Sequence, residues 1–187
     1  ALIIYKNKLG KEHPSYAATL NDFGTLYRLK EDYKKAEKNI TEAIEIRKKL
    51  LGDNHPDYLE SIENYAILKW KTNEIEPSKE LFSSLIDKTL FTIDKYFPYM
   101  SEKEKTKFWD KTKPRLYTFY SFAFDNAEKY NDLTKTALNL QLNSKALILN
   151  SSNKTKQAIL NSGDKSLINK YTEWLNQKEY LAYLYTL

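Results

Sequence analysis

A chain of 187 residues is long enough for one domain, or two small ones, with a real core, and its formal charge of +5 is too modest to demand an anionic partner. It holds no Cys, 2 His, 4 Gly and 5 Pro; this excludes disulfides, thiolate metal sites and a cysteine nucleophile, and leaves little for a histidine-based zinc site or dyad. No apolar run reaches the roughly 20 residues needed to span a bilayer. The expectation is therefore a soluble, cytoplasmic, all-α chain that uses no cofactor or metal and is not an enzyme.

Taken from its start, the chain repeats itself. Leu9, Gly10, His13, Pro14 and Tyr16 recur as Leu51, Gly52, His55, Pro56 and Tyr58, each 42 positions later. Leu26 recurs as Leu68 and Ile44 as Ile86, and Ala1–Lys6 echoes Ala43–Lys48. A fixed period of this size marks stacked helical units, none of which can bury its apolar face alone. The chain reads as opening inside a repeat: residues 1–9 end a preceding unit, 10–50 form a full one and 51–96 a degenerate one.

Within the full unit, Gly10 suits a left-handed turn after a helix, and Pro14 suits the first position of the next. Ala17, Leu20, Phe23, Gly24, Leu26 and Tyr27 then fall at helical spacing. A mid-helix glycine costs about 1 kcal/mol relative to Ala, so Gly24 predicts a close approach by a second helix. That helix carries Tyr33, Ala36, Ile40, Ala43, Ile44 and Arg47 on one side, with a short polar turn over Lys30–Tyr33 before it. In the second copy Ala36 becomes Ser78 and Ala43 becomes Leu85, as expected where a solenoid meets something different. Its last helix should run to about Tyr96, where Phe97 and Pro98 break it and bound the repeat region.

Residues 97–187 read as an irregular helical segment. Ser101 and Glu104 have the form of a capping box opening a short helix over Lys105–Lys111. Pro114 is expected to start another, whose Leu116, Tyr117, Phe119, Tyr120, Phe122 and Phe124 look buried on several sides. A helix from about Leu133 to Leu149, a loop at Ser151–Asn153 and a short helix from Lys154 to Asn161 follow. Asp164 should then cap a long final helix, on which Leu167, Ile168, Tyr171, Trp174, Leu175, Leu181 and Leu184 form a seam for another helix.

The signature residues Leu20, Phe23, Gly24, Tyr27, Ala36, Ile40 and Ala43 resemble a tetratricopeptide repeat. The long period and His-Pro start are similar to the kinesin-light-chain type of that family. The second copy matches at Ile62, Tyr65, Ala66 and Phe82 and departs at Lys69, Ser78 and Leu85. Phe97–Lys105, Phe119–Ala123, Ser144–Ser152, Ile159–Asp164 and the Tyr171/Trp174 pair look like the helical segment preceding the caspase-like peptidase domain of bacterial TPR–CHAT proteins. The His–Cys pair of that peptidase has no counterpart here, so no catalytic residue is carried over.

The resemblance implies a solenoid of two helical hairpins continued by the irregular segment, with a concave groove for a protein or peptide partner. By position, Asn21, Thr25 and Arg28 would line it in the first copy and Glu63, Ile67 and Trp70 in the second. The implied function is a protein–protein interaction scaffold or sensor arm that regulates a downstream caspase-like protease domain. Two alternatives stand beside it: a spacer with no ligand, and a nucleic-acid module using the basic helix over residues 103–115. There Lys103, Lys105, Lys107, Lys111, Lys113 and Arg115 flank Phe108 and Trp109. Glu102, Glu104 and Asp110 interrupt the run, which favours a solvated helix with its aromatics turned inward. His13 and His55, on successive units, are read as turn residues bonded to nearby backbone.

Overall fold

The computed structural model describes Tyr5, Lys8 and residues 10–184, and every regular element among them is helical. The expected echo at Ala1–Lys6 falls largely outside those residues. Two helix hairpins come first: α1 (Pro14–Leu29) with α2 (Tyr33–Leu51), and α3 (Pro56–Lys71) with α4 (Ile75–Tyr96). A 3-10 turn, Phe97–Tyr99, leads to α5 (Glu102–Asp125), α6 (Asn131–Leu160) and α7 (Lys165–Leu184).

Both hairpins begin alike. Gly10 and Gly52 take φ of +83°, a conformation that strains any side chain. The imidazole Nδ1 of His13 accepts from the Ser15 N–H at 3.1 Å, and that of His55 from the Asp57 N–H at 3.2 Å. Pro14 and Pro56 then open their helices, where no N–H donor is needed. The two histidines are caps, one in each unit.

Inside the first hairpin the expected close approach is present. A methyl group built on Gly24 would overlap Ile40 Cγ1 and stand 3.3 Å from the Ala36 carbonyl oxygen. Ala36, Ile40 and Ala43 are fully buried along α2. In the second hairpin Ala66 and Phe82 take the places of Gly24 and Ile40 and share one core cluster. Ser78, in the place of Ala36, is buried too; its hydroxyl donates to the Ala66 carbonyl at 2.9 Å, so the polar substitution is satisfied rather than disruptive.

The hairpins stack through α2 and α3. Leu68 packs on Ala36 and Ile40, while Leu26, its equivalent in the first unit, is exposed. Arg47, almost wholly buried, donates through Nη1 to the Asp57 carbonyl and the Ser61 hydroxyl, both at 2.7 Å. The largest core cluster lies further along, where Phe82, Leu85 and Ile86 of α4 meet Leu116, Phe119 and Phe122 of α5 and Leu133 and Leu140 of α6.

Three expectations for the second half are corrected. Pro114 does not start a helix but sits inside α5, which runs unbroken from the Ser101–Glu104 capping box. Proline removes one main-chain bond there, and Thr112, Leu116, Phe119 and Phe122 hold the inner face on either side. The aromatic run is buried on one side only, with Tyr117 53% and Phe124 69% exposed. The loop at Ser151–Asn153 is absent, since α6 is continuous through it. Ser and Asn cost only tenths of a kcal/mol each in a helix, roughly 0.5 relative to Ala, too little to end one without Gly or Pro. Asp164 does cap α7, its Oδ1 accepting from the N–H groups of Ser166 and Leu167.

The crossing at Gly24 gives a direct test. Gly24→Ala should lower stability in urea by about 1–3 kcal/mol through overpacking, despite a gain of about 1 kcal/mol in helix propensity. In Ile40→Ala, which removes the overlapped Cγ1, the same substitution should cost less by at least about 0.5 kcal/mol, the coupling expected of residues in contact.

Candidate functional site

The six positions expected to line a groove sit on two neighbouring helices at the same spacing, Asn21, Thr25 and Arg28 on α1 and Glu63, Ile67 and Trp70 on α3. Asn21 is buried, and its side-chain oxygen accepts from Asn64 Nδ2 at 3.1 Å, tying α1 to α3. Thr25 and Arg28 are half-buried one and two turns further on. Arg28 Nε is sealed from solvent and has no hydrogen-bond partner among the described residues. Burial pulls the guanidinium pKa below its ordinary value, and the neighbouring Tyr33 only partly offsets this. A donor held in this way is unfavourable by about 1–3 kcal/mol until something accepts from it.

The second-copy positions are used differently. Glu63 accepts from Arg115 Nε at 2.9 Å, with both side chains less than one-fifth exposed. Ile67 and Trp70 pack against the core that α5 completes, and the Trp70 ring meets the Phe122 ring edge-on at 5.6 Å. Lys71 Nζ lies 4.6 Å from the centre of the Trp70 ring. The six residues therefore fall into an α1 portion with a donor to spare and an α3 portion engaged by the chain itself. Sequence reasoning missed Asn64, Arg115 and Phe122 as the partners. Arg115 was legible only as part of a basic run, although its place one residue before the buried Leu116 hints at an inward-reaching head group.

Along α5 the basic residues do not form one strip. Lys105 is buried, Arg115 is held by Glu63, and Lys113 lies over the Tyr117 ring at 5.6 Å. Phe108 stacks edge-on against Phe97 at 5.3 Å, and Trp109 packs on the core. The aromatics that would have to stack on bases are thus turned inward.

Between the units, one ammonium serves two acids. Lys69 Nζ donates to Glu37 at 2.7 Å and to Glu74 at 3.0 Å, and the Tyr65 hydroxyl donates to Glu37 at 3.0 Å. Burial works against the charged lysine, but the bonds to Glu37 and Glu74 outweigh it and raise its pKa. The Lys69 bond holds the Glu37 carboxyl below its ordinary 4.5, against a smaller opposing effect of burial. Lys69 itself departs from the usual repeat signature, and this cluster is what it supplies instead.

Residues 1–49 and 24–87 match the tetratricopeptide repeat family model. No curated protein matches the chain. The N-terminal part thus carries a tetratricopeptide repeat region, the mark of a protein–protein interaction module. Among the described residues, no helix is long and apolar enough to cross a membrane.

The Glu37 cluster sets a pH dependence. Its folded pKa is depressed, so its contribution is present above 4.5 and lost as pH falls through the lower folded value. Glu74, lowered in the same way by Lys69, adds in the same sense. The thermal midpoint should fall as pH drops from about 5 to about 3, and by less in Glu37→Gln, with scanning calorimetry as the measurement.

Proposed function

We propose that this chain is a sensing arm. Its repeats hold a protein or peptide partner against the face formed by Asn21, Thr25, Arg28, Glu63, Ile67 and Trp70. Its later helices pass the bound state to a caspase-like peptidase domain of the same protein. The observation that carries the binding half is Arg28: a half-buried guanidinium, its charge disfavoured by burial, suits a partner's carboxylate or main-chain carbonyl. Thr25, one turn before it, offers a hydroxyl to the same partner. Asn21, Glu63 and Trp70, already bonded or packed within the chain, act mainly by holding that face in shape. The regulatory half rests on the order of motifs from Phe97 to Trp174 and on their likeness to the segment that precedes such peptidases.

A partner can alter the attached domain only by binding one arrangement of the arm more tightly than another. Two measurements test the proposal. Phage-displayed peptides selected on this chain should lose at least about tenfold in affinity for Arg28→Glu, a change of about 1.4 kcal/mol, while the variant keeps its helical circular dichroism. In the protein that carries the peptidase, deleting the arm should change the cleavage rate. Unchanged cleavage rejects the regulatory half, and equal affinity of the variant rejects the placement of the binding face.

A further inference from the structure

The second half of the chain repeats the burial pattern of the first without repeating its sequence. On α1 the inner stripe is Ala17, Leu20 and Gly24, and on α3 it is Leu59, Ile62 and Ala66. On α5 it is Leu116, Phe119 and Ala123, again spaced three then four and again ending on a small residue. The second helices agree as well. Ala36, Ile40 and Ala43 of α2 and Ser78, Phe82 and Leu85 of α4 are spaced four then three, and so are Leu133, Ala137 and Leu140 of α6. From the second set to the third the offsets are 57 and 55 residues instead of 42, so no fixed period exposes the likeness.

Each pair also meets the one before it, through contacts that differ in register. Leu68 of α3 closes on Ile40 in the preceding unit, and Phe119 and Phe122 of α5 close on Phe82 at 5.9 and 5.0 Å. The Asn64–Asn21 bond links α3 to α1, and the Arg115–Glu63 bond links α5 to α3. Lys79 pairs with Asp132 at 2.6 Å, joining the start of α4 to the start of α6.

The two connections then contrast. Phe97, at the break expected to bound the repeat region, is fully buried and stacked on Phe108, and α5 leaves the turn through a complete capping box. At the other connection Gly163 turns the chain with φ of +72°, much as Gly10 and Gly52 do at +83°, so the contrast lies in what surrounds the turn. Residues 160–167 are all exposed, and α7 packs against α6.

We propose that α5 and α6 are a third, degenerate hairpin of the same stack, so that one rigid body runs from α1 into α6 and the arm articulates at Ser162–Asp164. Opening the chain at Phe97 instead would uncover Leu116, Phe119 and Phe122 together, which weighs against the open form by roughly 1,000-fold or more. This placement is independent of what the α1/α3 face binds, and it moves the hinge of any regulatory motion some 65 residues beyond Pro98.

Because these 187 residues hold no native Cys, nitroxide pairs can be placed cleanly in this chain. The pair Lys38→Cys with Glu128→Cys spans the Phe97 turn and should give a single narrow distance distribution. The pair Lys38→Cys with Gln177→Cys spans Gly163 as well and should give a broad one. Hydrogen exchange gives a second readout: Phe122→Ala should speed opening of α4 and α5 together by more than about 100-fold, as for truncation of a core aromatic. Should that variant not fold, Phe122→Leu should speed both by a smaller common factor. A broad first distribution, a narrow second one, or α5 exchanging independently of α4 overturns the proposal.

Discussion

The packing of this chain depends on one steric constraint, a small residue on the first helix of a hairpin facing a large one on the second. Gly24 under Ile40 is the tightest instance, with no room for even one further carbon. Ala66 with Phe82 is a looser version, in which a methyl replaces hydrogen and a ring replaces a branched chain. Phe82, larger than Ile40, also reaches beyond its own hairpin to the rings of α5. The change that looks like decay of a repeat is thus also what joins the repeats to the rest of the chain.

Polar groups supply the direction and register that apolar packing lacks. Arg47 reaches a main-chain carbonyl and a hydroxyl of the next unit from an almost wholly buried position, Lys69 gathers acids from α2 and the α3–α4 turn, and Arg115 finds Glu63. In each case a long cationic side chain extends past its own helix to an acceptor on another. Such bonds fix how far one helix may slide along its neighbour, because a displacement of a single turn would leave a half-buried charge without its acceptor.

The repeats were legible because the signals there are local. Gly before a restart, Pro at the first helical position, a mid-helix glycine and a 42-residue period each have a short-range physical meaning. The capping residues Ser101 and Asp164 were legible for the same reason. The interior of the second half was not. Pro114 is a strong local signal overridden by the burial of residues on either side of it, and Ser151–Asn153 is a weak one that continuous helix absorbs at small cost. The groove positions could be named by carrying them over from the repeat family that the sequence resembles, but their engagement could not: that Glu63 meets Arg115 and Trp70 meets Phe122 depends on chain more than 50 residues away. Arg28 was named by its position in the repeat, whereas its interest lies in a guanidinium whose Nε finds no acceptor among the described residues.

Leu26 and Leu68 show what a stacked architecture does to the meaning of a residue. They are the same amino acid at the same place in successive units, yet one is 42% exposed and the other sealed beneath α2. The tolerance of each to substitution is therefore decided by its neighbour's side chains more than by its own. A profile averaged over the units would assign both positions one intermediate constraint, true of neither. Evolutionary drift in such a chain is heritable across unit boundaries: a change in one helix alters which changes the next helix can accept.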